Sequence, residues 1–287
     1  MADIETLVDD IYGLFLKEGG HRPSPENLEK LGKDIARVIA SRMAPEPRKP
    51  TLRLSNLGTP CERKLWYDIN TPELGEPLDA PARIKFLFGD ILELLLLFWA
   101  REAGHEVTGE QDELVHHGIV GHRDCIIDGR VVDCKSASSY SFKKFASNEL
   151  RSNDPFGYLS QLGSYLDASR DDPNVTDKKR GSFLVIDKTL GKITLDTYAL
   201  SPITEKYVTD KREVVNSNKP PKRGFEDEPE GKSGNRKLGM NCSYCSYKTT
   251  CWPGLRSFAY SYGPQHLTWI EKEPRVPEIT GVTNEVG

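Results

Sequence analysis

Methionine, tryptophan and histidine are scarce in this chain, at 3, 4 and 6 of 287 residues. Apolar runs are short. The longest, Phe86–Ala100, is broken by Gly89, Asp90 and Glu93, too short and too charged to cross a bilayer, and reads as a buried helix. There is no basic excess: 39 Lys and Arg against 43 Asp and Glu give a net charge of −4, which excludes coating of nucleic acid by bulk attraction. A local basic strip remains sufficient for phosphate binding. No internal repeat is visible, and the N-terminal stretch lacks a signal peptide's basic segment and small-residue cleavage site. A cytoplasmic, reducing compartment and no membrane partner are therefore expected. In that setting the six cysteines read as metal ligands or core residues rather than disulfides.

Residues 1–46 read as two helices split at Gly19-Gly20-His21-Arg22-Pro23, the second capped at Ser24-Pro25-Glu26, followed by a linker at Pro45, Pro47 and Pro50. A helix over Ala80–Ala103 ends at Gly104. Strands are expected at His105–Thr108, Glu113–His117, Ile119–Ile127, Arg130–Ser136, Ser182–Asp187 and Lys192–Tyr198, with helices over Pro155–Ser169 and Ile203–Asn216. The sum is a mixed α/β core. A helical extension (1–48), a central domain (49–258) and a weakly ordered tail (259–287) complete the expected organisation.

The sharpest local signal is Ile126-Ile127-Asp128-Gly129-Arg130-Val131. Asp-Gly between β-branched runs predicts a two-residue type I′ hairpin. Ile127 then pairs with Arg130, which sets Asp124 opposite Asp133 and His122 opposite Lys135, all four on one face. Cys125, Val132 and Cys134 take the other. Two carboxylates facing each other across a hairpin repel. A divalent cation between them removes the penalty, and oxygen ligands suit Mg²⁺ or Mn²⁺. Lys135 would place or deprotonate a water, or steady the phosphate in the transition state. A solvated face with a stray ion pair is the bland reading of the same residues. Glu93, set in Ile91-Leu92-Glu93-Leu94-Leu95, favours the metal, because a carboxylate in an apolar helix is costly unless paired or ligating. Gln161 and Tyr165 share one helix face downstream.

Cys242, Cys245 and Cys251 form C-x2-C-x5-C, three thiols that need a fourth, for which Cys61 is the candidate. Cys125 and Cys134 are spoken for as small hydrophobes.

Taken in order, Gly89…Glu93, Gly121-His122-Arg123-Asp124, Asp133-Cys134-Lys135 and Gln161-Leu162-Gly163-Ser164-Tyr165 resemble the motif series of RecB-like PD-(D/E)XK nucleases, over about Leu52–Trp252. The resemblance implies a mixed central sheet flanked by helices and a metal held by Glu93, Asp124, Asp133 and the backbone carbonyl of Cys134. It also implies that Lys135 serves the nucleophilic water, while Gln161 and Tyr165 support the site. The early cysteine plus C-x2-C-x5-C is similar to the staple of AddB and of the CRISPR-associated RecB-like exonucleases. This implies a [4Fe–4S] cluster on Cys61, Cys242, Cys245 and Cys251 that ties the domain's ends together, with Zn²⁺ as the alternative for four thiolates. The chain departs from the pattern in carrying Arg123 before Asp124 and Glu93 where RecB-like members usually have His.

The function so implied is a DNA exonuclease in recombination or end processing, of phage origin and acting in a host's cytoplasm in one version. It would act on single strands or duplex ends, with a recombinase or single-strand-binding protein as conceivable partner. A structure-dependent endonuclease and an inactive DNA-binding scaffold stay open. Arg53, Arg63, Lys64, Lys143, Lys144 and Arg151 are the expected phosphate contacts, with Tyr140, Phe142 and Phe145 as stacking partners for bases.

Overall fold

Proline and glycine punctuation sets the element boundaries of the computed structural model, which describes residues 2–44 and 49–279. Pro45 and Pro47, and the tail beyond residue 279, lie outside the described residues. In chain order the helices are α1 (Leu7–Leu16), α2 (Pro25–Met43), α3 (Leu54–Leu57), α4 (Glu62–Asn70) and α5 (Ala80–Glu102). Strands β1 (Val107–Thr108), β2 (Glu113–His116), β3 (Ile119–His122), β4 (Cys125–Ile127) and β5 (Arg130–Ala137) follow, then α6 (Ser139–Ala146) and α7 (Tyr158–Ala168). After them come β6 (Arg180–Asp187), β7 (Ile193–Ala199), α8 (Glu205–Asn216), β8 (Glu228–Pro229), β9 (Arg236–Lys237), α9 (Met240–Ser243), α10 (Lys248–Cys251), β10 (Arg256–Tyr260) and β11 (Gly263–Trp269). Among the described residues no helix is long and apolar enough to cross a membrane.

The chain divides into two units, residues 1–58 with 78–210 and residues 59–77 with 211–287. The first is a mixed α/β sandwich. Its five-stranded sheet runs β1-β4-β5-β6-β7 and is antiparallel except for the central parallel pair β5–β6. A parallel pair demands a crossover connection, and α6 and α7 supply it between β5 and β6. Alternation along β5 assigns its faces. Val131 and Ala137 join the core formed with α3, α6 and α7, while Val132 and Cys134 join the core formed with α1 and α5. Helix α2 begins as expected, with the Ser24 hydroxyl capping Asn27 N–H and Pro25 in the first turn.

The hairpin register is the expected one: Cys125 pairs with Val132, Ile126 with Val131 and Ile127 with Arg130. Asp128 and Gly129 both have positive φ, 47° and 81°, as a type I′ turn requires. The single strand expected over Ile119–Ile127 is instead two, β3 and β4, parted at Arg123-Asp124. His122 therefore does not face Lys135. It pairs with Glu113 in a separate two-stranded sheet, β2–β3, and its side chain is half exposed. The cause is Arg123, which turns inward and is 1% exposed. Its guanidinium donates to the Gly109 carbonyl, Ser169 Oγ and Asp112 Oδ2, and pairs with Asp172 at 2.6 Å.

In the second unit β10-β11-β9-β8 form an antiparallel sheet. Hairpin β10–β11 occupies a stretch expected to be weakly ordered. Trp66, Tyr67 and Tyr247 make a small aromatic core, with Tyr67 and Tyr247 stacked at 5.1 Å.

Candidate active site

Because β4 stops at Cys125, Asp124 has no ladder partner. Its Oδ2 instead accepts the Cys134 N–H at 2.8 Å, and its carbonyl accepts the Gln111 N–H. The carboxylate is thereby fixed at the open edge of β5. Asp133, 1% exposed, sits on the β5 face that also carries Lys135, whose Nζ lies 2.5 Å from its Oδ2. Neither carboxylate oxygen of Asp133 has a hydrogen-bond partner, although both are buried. A fully buried, unbonded carboxylate is costly unless something cationic meets it.

Glu93 arrives from α5, accepting a hydrogen bond from Gln111 Nε2 at 2.9 Å. Burial pushes its pKa up to about 7; the Gln111 hydrogen bond and Lys135 oppose that rise, and Asp133 adds to it. Asp124 is raised well above the carboxylate range by burial, then by Asp133 and Glu93. Burial disfavours the Lys135 ammonium, but Asp133 and Asp124 outweigh it and hold its pKa above the ordinary lysine value. Tyr165 is buried in the field of Asp133, Asp124 and Lys135, and Gln161 Nε2 approaches its hydroxyl at 3.5 Å.

The structure thus brings Glu93, Asp124, Asp133, Lys135 and Tyr165 into one electrostatic group, with Gln161 at its margin. Three contributors were not assigned to the site from the sequence. Gln111 steadies both Glu93 and Asp124 from a turn at φ 54°. Tyr158 lies under Lys135 Nζ, 5.5 Å from its ring centroid; its spacing of three and seven from Gln161 and Tyr165 would have revealed it. Arg123 anchors the loop that carries Asp124. Among the described residues no three His, Cys, Asp or Glu side chains converge in the geometry that holds one ion. What fits a divalent cation here is the donor chemistry: oxygen atoms only, mutually repelling, with Asp133 Oδ1 buried and without a hydrogen-bond partner.

Glu93 gives a pH dependence whose sign is fixed. A carboxylate whose folded pKa lies above its unfolded value binds more protons folded than unfolded, so its contribution to stability declines as pH rises from about 4.5 to about 7. The full effect is at most about 3 kcal/mol. In metal-free protein, Glu93→Gln is expected to match wild type near pH 5 and to exceed its Tm increasingly up to pH 8. A constant difference across that range would show that Glu93 is not held in this environment.

The second group is the thiols. Cys61, Cys242, Cys245 and Cys251 border one cavity of about 30 Å³ in the second unit. Burial, and after it Cys61, Cys245 and Cys251, raise the Cys242 pKa to about 11. Cys61 also caps α4, its Sγ accepting the Lys64 N–H. Cys125 and Cys134 are buried beneath the sheet of the first unit, as expected.

The anticipated nucleic-acid contacts fare unevenly. Phe142 and Phe145 are core residues on α6, 8% and 4% exposed, so they do not stack on bases; Tyr140 remains exposed. Arg63 is bound to the Pro221 carbonyl and Tyr67, Lys64 to Asp68, and Arg151 to the Ala199 carbonyl.

No family model matches the chain, and no curated protein does. Among solved structures, SSO0001 is similar with 17% identity and a TM-score of 0.42, over 78% of this chain and 95% of that one. LHK-Exo in complex with dAMP is similar with 12% identity and a TM-score of 0.37, over 63% and 88%. At this distance neither bears on what the chain does.

Proposed function

We propose that the chain is a divalent-metal-dependent deoxyribonuclease, acting as an exonuclease on DNA ends. The observation that carries the reading is a buried group of three mutually repelling carboxylates, Asp133, Asp124 and Glu93, with the Lys135 ammonium beside Asp133. Glu93, Asp124, Asp133 and the Cys134 carbonyl would hold Mg²⁺ or Mn²⁺, which when bound neutralises the acids and lowers the pKa of water. Lys135, held as an ammonium by the acids, orients water and phosphate rather than accepting a proton. Tyr158 and the Gln161–Tyr165 pair limit where Lys135 and the substrate phosphate can move. The four thiols of the second unit suit a [4Fe–4S] cluster with a structural role: they surround a cavity and no other chemistry is at hand for them. Zinc is the other occupant such thiolates accept.

Incubation of end-labelled linear DNA and of covalently closed circles with Mg²⁺ or Mn²⁺ tests the reading. Linear DNA is expected to shorten from its ends while circles persist. Nicked circles would turn the reading to an endonuclease, and DNA untouched throughout a metal titration would end it.

A further inference from the structure

A cleft of about 500 Å³ opens in the second unit beside hairpin β10–β11, lined among others by Lys232, Lys237, Tyr260, Tyr262, Lys272 and Arg275. Lys232, Lys272 and Arg275 are exposed and make no ion pair among the described residues. The two acids of its wall are already engaged. Glu230 accepts from Tyr260, Ser233 and Asn235, and Glu273 is paired with Arg256. Glu230 keeps its charge, but four cations of the lining, Lys232, Lys237, Lys272 and Arg275, outnumber its two carboxylates, Glu230 and Glu273, and leave a positive excess.

Its floor is built. Asn235 is 2% exposed, and its amide donates to Glu230 Oε2 and to the Lys272 carbonyl while its oxygen accepts the N–H groups of Glu271 and Lys272. One side chain thus ties the loop bearing Lys232 to the segment bearing Lys272 and Arg275. At the rim Tyr262 is 72% exposed, its ring 5.5 Å from that of Tyr260 and tilted by 46°. Tyr260 is anchored to Glu230, so a fixed aromatic step presents an outer ring to solvent. A tyrosine left so exposed at a tight turn gains nothing from folding. Flanked by unpaired cations at a rigid floor, it is a stacking platform beside phosphate contacts.

We infer that this cleft binds single-stranded nucleic acid, with a base stacked on Tyr262 and backbone phosphates on Lys232, Lys272 and Arg275. The inference extends the nuclease reading by giving the second unit a share in substrate binding. The two fail separately, since hydrolysis and cleft occupancy have different readouts.

The test is fluorescence anisotropy of labelled (dT)₁₅ and (U)₁₅ with the full chain in EDTA, where no cleavage competes. Tyr262→Ala is expected to weaken binding about tenfold, and Tyr262→Phe to restore it, because stacking needs the ring and not the hydroxyl. The double variant Lys232→Ala/Lys272→Ala is expected to flatten the dependence of log K on log salt by about 1.4, two single-strand phosphate contacts at roughly 0.7 each. The tighter-bound strand identifies the sugar. All variants should hydrolyse bis(4-nitrophenyl) phosphate with added Mn²⁺ at the wild-type rate. Wild-type affinity and salt slope in these variants would overturn the cleft, as would displacement of (dT)₁₅ by poly-glutamate at equal charge concentration. Loss of hydrolysis in the wild type itself would strike the nuclease reading and leave the cleft standing.

Discussion

Lys135→Ala is expected to slow DNA cleavage about a hundred- to a thousandfold, the size of loss seen when one charge-stabilising donor is removed from a transition state. Affinity for DNA in EDTA should change little, because one short-range contact among many phosphates is lost. The same change strips Asp133 of the cation beside it, Lys135 Nζ at 2.5 Å. Breaking a buried pair from one side costs about 3–5 kcal/mol, so the metal-free variant should also melt earlier. Asp133→Asn placed on top of Lys135→Ala should recover much of that stability while leaving the protein inactive. Added Mg²⁺ should recover stability in Lys135→Ala but not in the double variant. Near-normal turnover in Lys135→Ala would remove the assignment of this group as an active site. A double variant no more stable than the single would show that Asp133 is not buried as described.

If the proposed cluster is present, Cys61→Ser is expected to bleach the anaerobically purified protein and unfold its second unit, since a structural metal centre's binding free energy is also folding free energy. The substitution is unusually clean. Cys61 both borders the thiol cavity and caps α4 through its sulfur, and serine is among the best N-cap residues. The cap is preserved and only the ligand changes. Cys125→Ser or Cys134→Ser should leave the visible absorption intact, because both thiols are buried in the first unit. A colourless wild type carrying one zinc per chain would replace the cluster with zinc. Full colour in Cys61→Ser would remove Cys61 from the centre.

The hairpin was legible because Asp128-Gly129 fixes both turn geometry and register through backbone sterics alone. The burial of Glu93 was legible from its apolar neighbours. What escaped depends on tertiary partners. Helix α6 is only eight residues long and rich in serine and aromatics, so its helicity comes from docking Phe142 and Phe145 into the core. Arg123 carries the most polar of side chains to the most buried of positions, made tolerable by four partners dispersed over residues 109–172. No local pattern announces that, and its inward turn is what displaced His122 from the expected pairing. The strands β10 and β11 each fully bury a single residue, Phe258 and Leu267, so their composition resembles a tail.

The second unit is assembled from two stretches with the whole first unit's sheet encoded between them. Cys61 leaves the ribosome about 180 residues before Cys242. At roughly 5–20 residues per second the early thiol waits on the order of ten seconds or more for its partners. During that interval residues 59–77 have neither their sheet nor their aromatic core, while most of residues 78–210 can already fold. The proposed four-thiol centre could therefore form only after synthesis has passed Cys251. Chains halted earlier would carry a finished pocket of acids and a Cys61 without the three thiols it borders in the complete protein.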